Sequence, residues 1–147
     1  MKVVLDTNVL IDGFKDEFSY EKRIIDEVRK GNLEAFANKQ TLRENQFIAS
    51  KIIRQEEYKK ELGELFAQIN WVENPRRVRV VSDREDNKIL ESAVEAHAEY
   101  LVTSDKALLE IGRYKKVSIV RPIEFWAKYK DEDSGKWQEW INFIKNT

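Results

Sequence analysis

Short apolar runs recur along the chain, separated by longer stretches in which apolar side chains return every three or four positions. Lys2–Leu5 (KVVL) reads as a buried strand, and 7–14 as a turn or short helix. Ser19 reads as the N-cap of a helix that runs to Lys30 and stops at Gly31. Leu33–Asn38 (LEAFAN) alternates like a strand. Thr41 begins a helix through Ile53, and another covers Glu56–Ile69. Val78–Val81 (VRVV) has strand composition. Asp86–Ala98 reads as a helix with Ile89, Leu90, Ala93 and Val94 on its apolar face. Tyr100–Thr103 (YLVT) is a further strand, Lys106–Ile111 a short helix closed by Gly112, and Val117–Val120 (VSIV) a last strand. Short apolar strands alternating with helices predict an α/β fold, with a mainly parallel sheet covered on both faces.

The end of the chain reads differently. Lys130–Gly135 (KDEDSG) has linker composition, and the segment after it places Trp137, Trp140, Ile141 and Ile144 on one helical stripe. That spacing predicts a helix over 136–147 whose apolar face is covered by its own domain, a second copy or a partner. No internal repeat is present.

Length and composition narrow the class. A chain of 147 residues, 41% hydrophobic, fits one domain that buries roughly 70% of its unfolded surface. The 26 basic and 27 acidic residues nearly cancel, so any nucleic-acid binding must come from a local basic face. The absence of cysteine excludes disulfides, zinc–thiolate centres and cysteine nucleophiles. Neither a signal peptide nor a run of membrane length is visible, which predicts a cytoplasmic protein with no membrane partner. Abundant Lys and Glu without cysteine is a composition met in thermophiles.

The acids carry the chemistry. Asp6 ends one apolar run and enters another, VVLD-TNVLI, where a carboxylate is costly unless something compensates it. Asp83 and Asp86 follow VRVV, and Asp105 follows YLVT. In open parallel sheets ligands bind beyond the carboxyl ends of the strands, so three strands are expected to deliver acid to one edge. Each acid also has a structural reading. Asp83 and Asp105 stand where N-caps belong, and Asp86 where a first-turn acid suits the helix dipole. Glu44 stands three residues after Thr41, as in a capping box. His97, the single histidine, closes a helix among alanines and reads as an ordinary side chain. No P-loop, dinucleotide fingerprint or nucleophile elbow is present. Oxygen ligands for a hard cation, Mg²⁺ or Mn²⁺, remain.

VVLDTNVLI, TLRENQFIASKI, DREDNKILESAVEAHAEYLVTSDKALLEI and VSIVRPIEFW together resemble the PIN-domain family, nearest to the VapC-like toxins, over roughly 2–129. The resemblance implies a PIN-like three-layer sandwich, with residues 1–130 as the nuclease domain and 131–147 as its helical extension. It implies a catalytic, metal-binding cluster of Asp6, Glu44, Asp86 and Asp105, with Asp83 as an additional acid and Asn8 and Thr103 as polar supports. One departure stands out: Asn45 follows Glu44 where the family usually carries an apolar residue. The implied activity is Mg²⁺- or Mn²⁺-dependent cleavage of RNA, with an antitoxin as partner and a homodimer as a common state.

The physics agrees with such a centre. Carboxylates about 5 Å apart repel by roughly 3 kcal/mol per pair at an effective dielectric near 20. A cluster must therefore hold protons at raised pKa or bind a cation. For the RNA backbone, the chain offers Arg76, Arg77 and Arg79, then Lys39, Arg43, Lys51 and Arg54, and Lys106 beside Asp105. Arg43 and Lys106 adjoin proposed ligands. Two other readings stand beside the toxin: an RNA-processing nuclease on the same site, and a catalytically silent scaffold for RNA or protein. An aspartyl-phosphate enzyme built on Asp6 would need a second acid at position 8, where Asn8 stands.

Overall fold

The computed structural model describes residues 1–52, 56–73 and 79–146, without the side chains of 41, 44, 45, 48–50, 52 and 132–140. Its elements in chain order are β1 (Lys2–Leu5), α1 (Thr7–Lys15), α2 (Tyr20–Arg29), β2 (Glu34–Asn38), α3 (Lys39–Ile52) and α4 (Glu56–Gln68). They continue with β3 (Asn70–Val72), α5 (Arg84–Glu95), β4 (Tyr100–Val102), α6 (Lys106–Ile111), β5 (Arg113–Tyr114), β6 (Val117–Val120) and α7 (Pro122–Lys145).

The strands form one six-stranded sheet in the order β3-β2-β1-β4-β6-β5, parallel throughout except for β5 against β6. Its two faces explain the continuous apolar runs. Val3 and Leu5 point into one core with α1, α2, α4 and Phe125 of α7, whereas Val4 points into a second core with α5 and α6. Successive strand side chains face opposite ways, so a strand buried on both sides has no polar position to offer. Leu65 seals the first core and Leu90 the second, both fully buried; each contributes about 1.5–3 kcal/mol over an exposed site. The result is the expected three-layer α/β sandwich.

Local signals hold at several termini. The Ser19 hydroxyl accepts from Lys22 N at 3.1 Å and starts α2. Gly31 and Gly112 follow α2 and α6 with φ of 82° and 70°, a region glycine enters without the Cβ penalty. Gly13 lets α1 approach α2, because a Cβ there would collide with Ile25 and the Glu21–Lys22 backbone.

Four expectations are corrected. Arg79–Val81 is not a strand; Val78 lies outside the described residues. In its place the sheet recruits Asn70–Val72 as edge strand β3. α3 begins at Lys39, with the Asn38 carboxamide accepting from Gln40 N at 2.9 Å. Thr41 is thus inside the first turn and cannot be the N-cap, which removes the capping-box reading of Glu44. The linker reading of Lys130–Gly135 also fails, since α7 runs unbroken from Pro122 to Lys145. Within that helix Ile144 is 49% exposed, so at this position the stripe is not covered by the chain's own domain; Trp137 and Trp140 lie outside the described side chains.

Candidate active site

The strand order turns between β1 and β4. From β1 the chain leads toward β2 and β3 on one side, and β4 leads toward β6 on the other. Crossovers diverge at such a point and leave a crevice at the carboxyl edge. Asp6 leaves β1 there and Asp105 lies just beyond β4.

Asp6 is held from both sides. Its backbone N–H extends the ladder to Val102 O at 3.0 Å, and its carbonyl accepts from Val9 N at 3.0 Å to open α1. Its side chain is buried, and Thr103 Oγ1 donates to Asp6 Oδ2 at 2.7 Å. Thr103, fully buried, accepts in turn from Asp105 N at 3.0 Å. One hydroxyl therefore ties the acid of β1 to the backbone of the acid after β4. Asp105 Oδ1 accepts from Leu108 N at 3.1 Å and caps α6.

Asp86 arrives by a different route. Asp83 caps α5, its Oδ1 accepting from Glu85 N at 2.7 Å and Asp86 N at 3.3 Å. Asp86 sits in the first turn behind that cap. Asn87, buried beside it, accepts from Val80 N and Val81 N at 3.0 and 3.1 Å and donates to Val81 O at 2.7 Å. Its carboxamide supplies the partners that a neighbouring strand would have given Val80 and Val81. Two strands and one helix N-terminus, rather than three strands, present the acids. Asn87 is the residue that sequence reading missed; its signal is a carboxamide next to Asp86, four residues after the Asp83 cap.

The electrostatics show crowding. Burial pushes Asp6 above the ordinary carboxylate range, and the charge of Asp105 adds to this. The Thr103 hydrogen bond draws it back down. So do the N–H groups of Thr7 and Asn8, although neither closes a cap hydrogen bond. Asp86 is pushed up to about 6, first by burial and then by the charges of Asp105, Asp83, Asp6 and Glu85. Among the described residues, no Lys or Arg forms an ion pair with Asp6, Asp86 or Asp105.

Three acids thus share one electrostatic neighbourhood, with no counter-charge from Lys or Arg among the described residues. All their ligand atoms are hard carboxylate oxygens, which suits Mg²⁺ or Mn²⁺. Among the described residues they do not close into a ready-made set of three around one point. Glu44 lies on α3 with its side chain outside the described set, so its place relative to the other three is not assigned. Asn8 is exposed in the first turn of α1 and reaches Asp6 through its backbone N–H. Arg43 and Lys106 are exposed, on α3 and at the start of α6, and Arg76 and Arg77 lie outside the described residues.

A family model described as a PIN domain matches residues 2–107. Among solved structures, the crystal structure of VapBC2 from Rickettsia felis bound to a DNA fragment from their promoter is similar. It shares 16% identity, covering 81% of this chain and 97% of that one, with a TM-score of 0.55. At that identity the likeness speaks for the fold. No curated protein sequence matches the chain.

Proposed function

Since the chain belongs to the PIN-domain family, we propose that it is a metal-dependent endoribonuclease, the toxin of a toxin–antitoxin pair. The observation that carries the reading is the crowded acid at the β1–β4 turn of the sheet. The charge of Asp105 raises the cost of ionising Asp6, and those of Asp6 and Asp105 the cost of ionising Asp86. None of the three has a cationic partner among the described residues. Asp6, Asp86 and Asp105 would hold Mg²⁺ or Mn²⁺, with Glu44 as the fourth ligand and Asp83 behind Asp86. The ion supplies neutralisation of the cluster, polarisation of a phosphate and a more acidic water.

The protein's own residues orient and tune. Thr103 fixes Asp6 Oδ2 and Asp105's backbone in one register, so neither acid is free to turn away. The N–H groups at the start of α1 favour the ionised form of Asp6. Asp83 and Asn87 together fix the entry of α5 and with it the position of Asp86. Arg43 and Lys106, with Arg76 and Arg77, would contact the RNA backbone. The partner class is an antitoxin protein, with a homodimer as the assembly. Residues 1–130 form the nuclease unit in this reading, and 131–147 its extension. Among the described residues no helix is long and apolar enough to cross a membrane; cytoplasmic residence is part of the proposal.

The test is cleavage of single-stranded RNA by the purified chain with Mn²⁺, with EDTA, and after Asp86→Asn. Cleavage that requires Mn²⁺ and is lost in the variant supports the reading. A parent that binds RNA without cutting it in Mn²⁺ would make the fold a silent scaffold.

A further inference from the structure

α3 carries a second feature that the acid cluster does not use. Lys39, Arg43, Phe47 and Lys51 recur every four residues and are all exposed, forming one ridge about 18 Å long. Phe47 is 60% exposed, with Lys51 Nζ 4.3 Å from its ring centre. On the neighbouring edge strand β3, Trp71 is 53% exposed, with Lys39 Nζ 4.9 Å from its ring. Among the described residues none of Lys39, Arg43 and Lys51 is ion-paired, whereas Lys22, Arg29, Lys59 and Lys88 all are. These lysines lie over aromatic rings instead of carboxylates.

The ridge starts at the acid edge. Val4 pairs with Phe36, so Asn38 stands level with Asp6 one strand away, about 4.8 Å across. Lys39 follows immediately. Trp71 pairs through Ala37 and stands two strands from β1. We propose that the Trp71–Lys39 and Phe47–Lys51 pairs form a base-stacking subsite that holds a single-stranded RNA as it runs from the acid edge along α3. The proposal deepens the ribonuclease reading and rests on it.

The chemistry of the ridge favours this occupant. Cations about 6 Å (Lys39 to Arg43) and about 12 Å (Arg43 to Lys51) apart along the axis meet phosphates, and exposed rings offer faces to unpaired bases, the combination that binds single strands without sequence preference. A duplex hides its base faces in its own stack and could use only the cations. An acidic peptide would likewise engage the cations and gain little from two exposed rings.

The experiment measures binding of labelled single-stranded oligonucleotides to the full-length chain in EDTA, together with cleavage kinetics in Mn²⁺. Trp71→Ala and Phe47→Ala should each weaken single-strand binding by roughly fivefold or more, with the salt dependence unchanged. Trp71→Phe should recover part of the loss, which a merely structural role at an exposed position would not produce. Lys39→Ala should lower the salt slope by about one phosphate contact. In cleavage, Trp71→Ala should raise KM far more than it lowers kcat.

Unchanged single-strand affinity in both aromatic variants overturns the subsite, as does duplex RNA binding as tightly as single strands. If polyglutamate competes and its binding falls equally on Trp71→Ala, the ridge belongs to a protein partner. The two readings fail separately. A parent that never cleaves but shows the stacking pattern refutes the ribonuclease and keeps the ridge. A parent that cleaves with KM indifferent to Trp71 does the reverse.

Discussion

Between α2 and α4, Lys22 is only 4% exposed, yet its ammonium lies 2.6 Å from Asp26 and 2.9 Å from Glu61. Arg29 continues the network to Asp26 at 2.8 Å and Glu64 at 2.7 Å. At the carboxyl edge of the sheet, Asp6 is as deeply buried, at 6% exposure, but the charge it meets is that of Asp105, another acid. The responses are opposite in sense. Burial pulls Lys22 down, and its hydrogen bonds to Asp26 and Glu61 more than offset this, so its charged form is favoured. Burial and like charge push Asp6 and Asp86 toward their neutral forms. Among the described residues, buried charge is neutralised in one place and left without an opposite charge in another. In the proposed reading, the second place is where an outside cation would bind.

The largest expected effect breaks the acid side of this contrast. Asp6→Asn keeps the Thr103 hydrogen bond and most of the shape while removing one charge. RNA cleavage should fall by about 1,000-fold, the scale of losing a group that holds reacting charge. Without metal, the variant should melt no lower than the parent, because one source of repulsion is gone. A clear loss of metal-free stability with cleavage intact would make Asp6 a purely structural acid.

On the basic side the sign reverses. Lys22→Met removes the counter-charge and leaves Asp26 and Glu61 facing each other. Breaking a fully buried pair costs about 3–5 kcal/mol; these acids are 33% and 23% exposed, which brings the expected loss to about 2–3 kcal/mol. Urea unfolding would measure it, and RNA cleavage at low temperature should stay near the parent's. Equal stability would mean the network is decorative.

A smaller change should sharpen the comparison. Thr103→Val preserves volume but deletes the hydroxyl that joins Asp6 to the Asp105 backbone. Losing one hydrogen bond to a charged group costs about 1.5 kcal/mol, or roughly tenfold in cleavage. Since that bond lowers the Asp6 pKa, its loss should shift the acid limb of the pH–rate profile to higher pH. A tenfold loss with an unmoved profile would argue for misplacement alone.

The smallest effect concerns pH and the metal-free protein. Asp86 has a folded pKa raised from 3.8 to about 6, so the native state binds the proton more tightly than the unfolded chain. Stability is then greatest below about 4 as far as this group is concerned, and falls as pH rises through about 6. Thermal melts in EDTA should drop across that window in the parent and flatten in Asp86→Asn. Lys22, raised as well but from a much higher ordinary value, keeps its contribution through this range and loses it only at strongly alkaline pH. A drop of the same size in both proteins would show that Asp86 is not its source.

Legibility followed the same divide between generic and particular interactions. Val3–Val4–Leu5 declares a strand buried on both faces because hydrophobic burial is averaged over many contacts and needs no named partner. Asp6 was legible as an anomaly because its neighbours are apolar on both sides. VRVV misled because β-branched composition reports a preference, whereas the backbone partners of Val80 and Val81 came from the Asn87 side chain, seven and six residues on, which strand composition does not report. β3 was missed for the converse reason: three residues of an edge strand carry no periodicity. KDEDSG misled because no apolar stripe marks it. A helix nucleated at Pro122 continues through such a stretch at about 1 kcal/mol or less per residue.

The sheet is also bounded by its shortest members. Edge strand β3 has three residues and β5 has two, so the open rows of backbone N–H and C=O at the borders are brief. Long apolar edges invite further chains to add on and grow into fibrous aggregates. Trp71 sits on such a border, and a bulky ring there on a strand of ordinary length would be a hazard. On three residues it has too little backbone beside it to template a neighbour. Brevity at the margin leaves little open backbone beside that ring through which a second sheet could add.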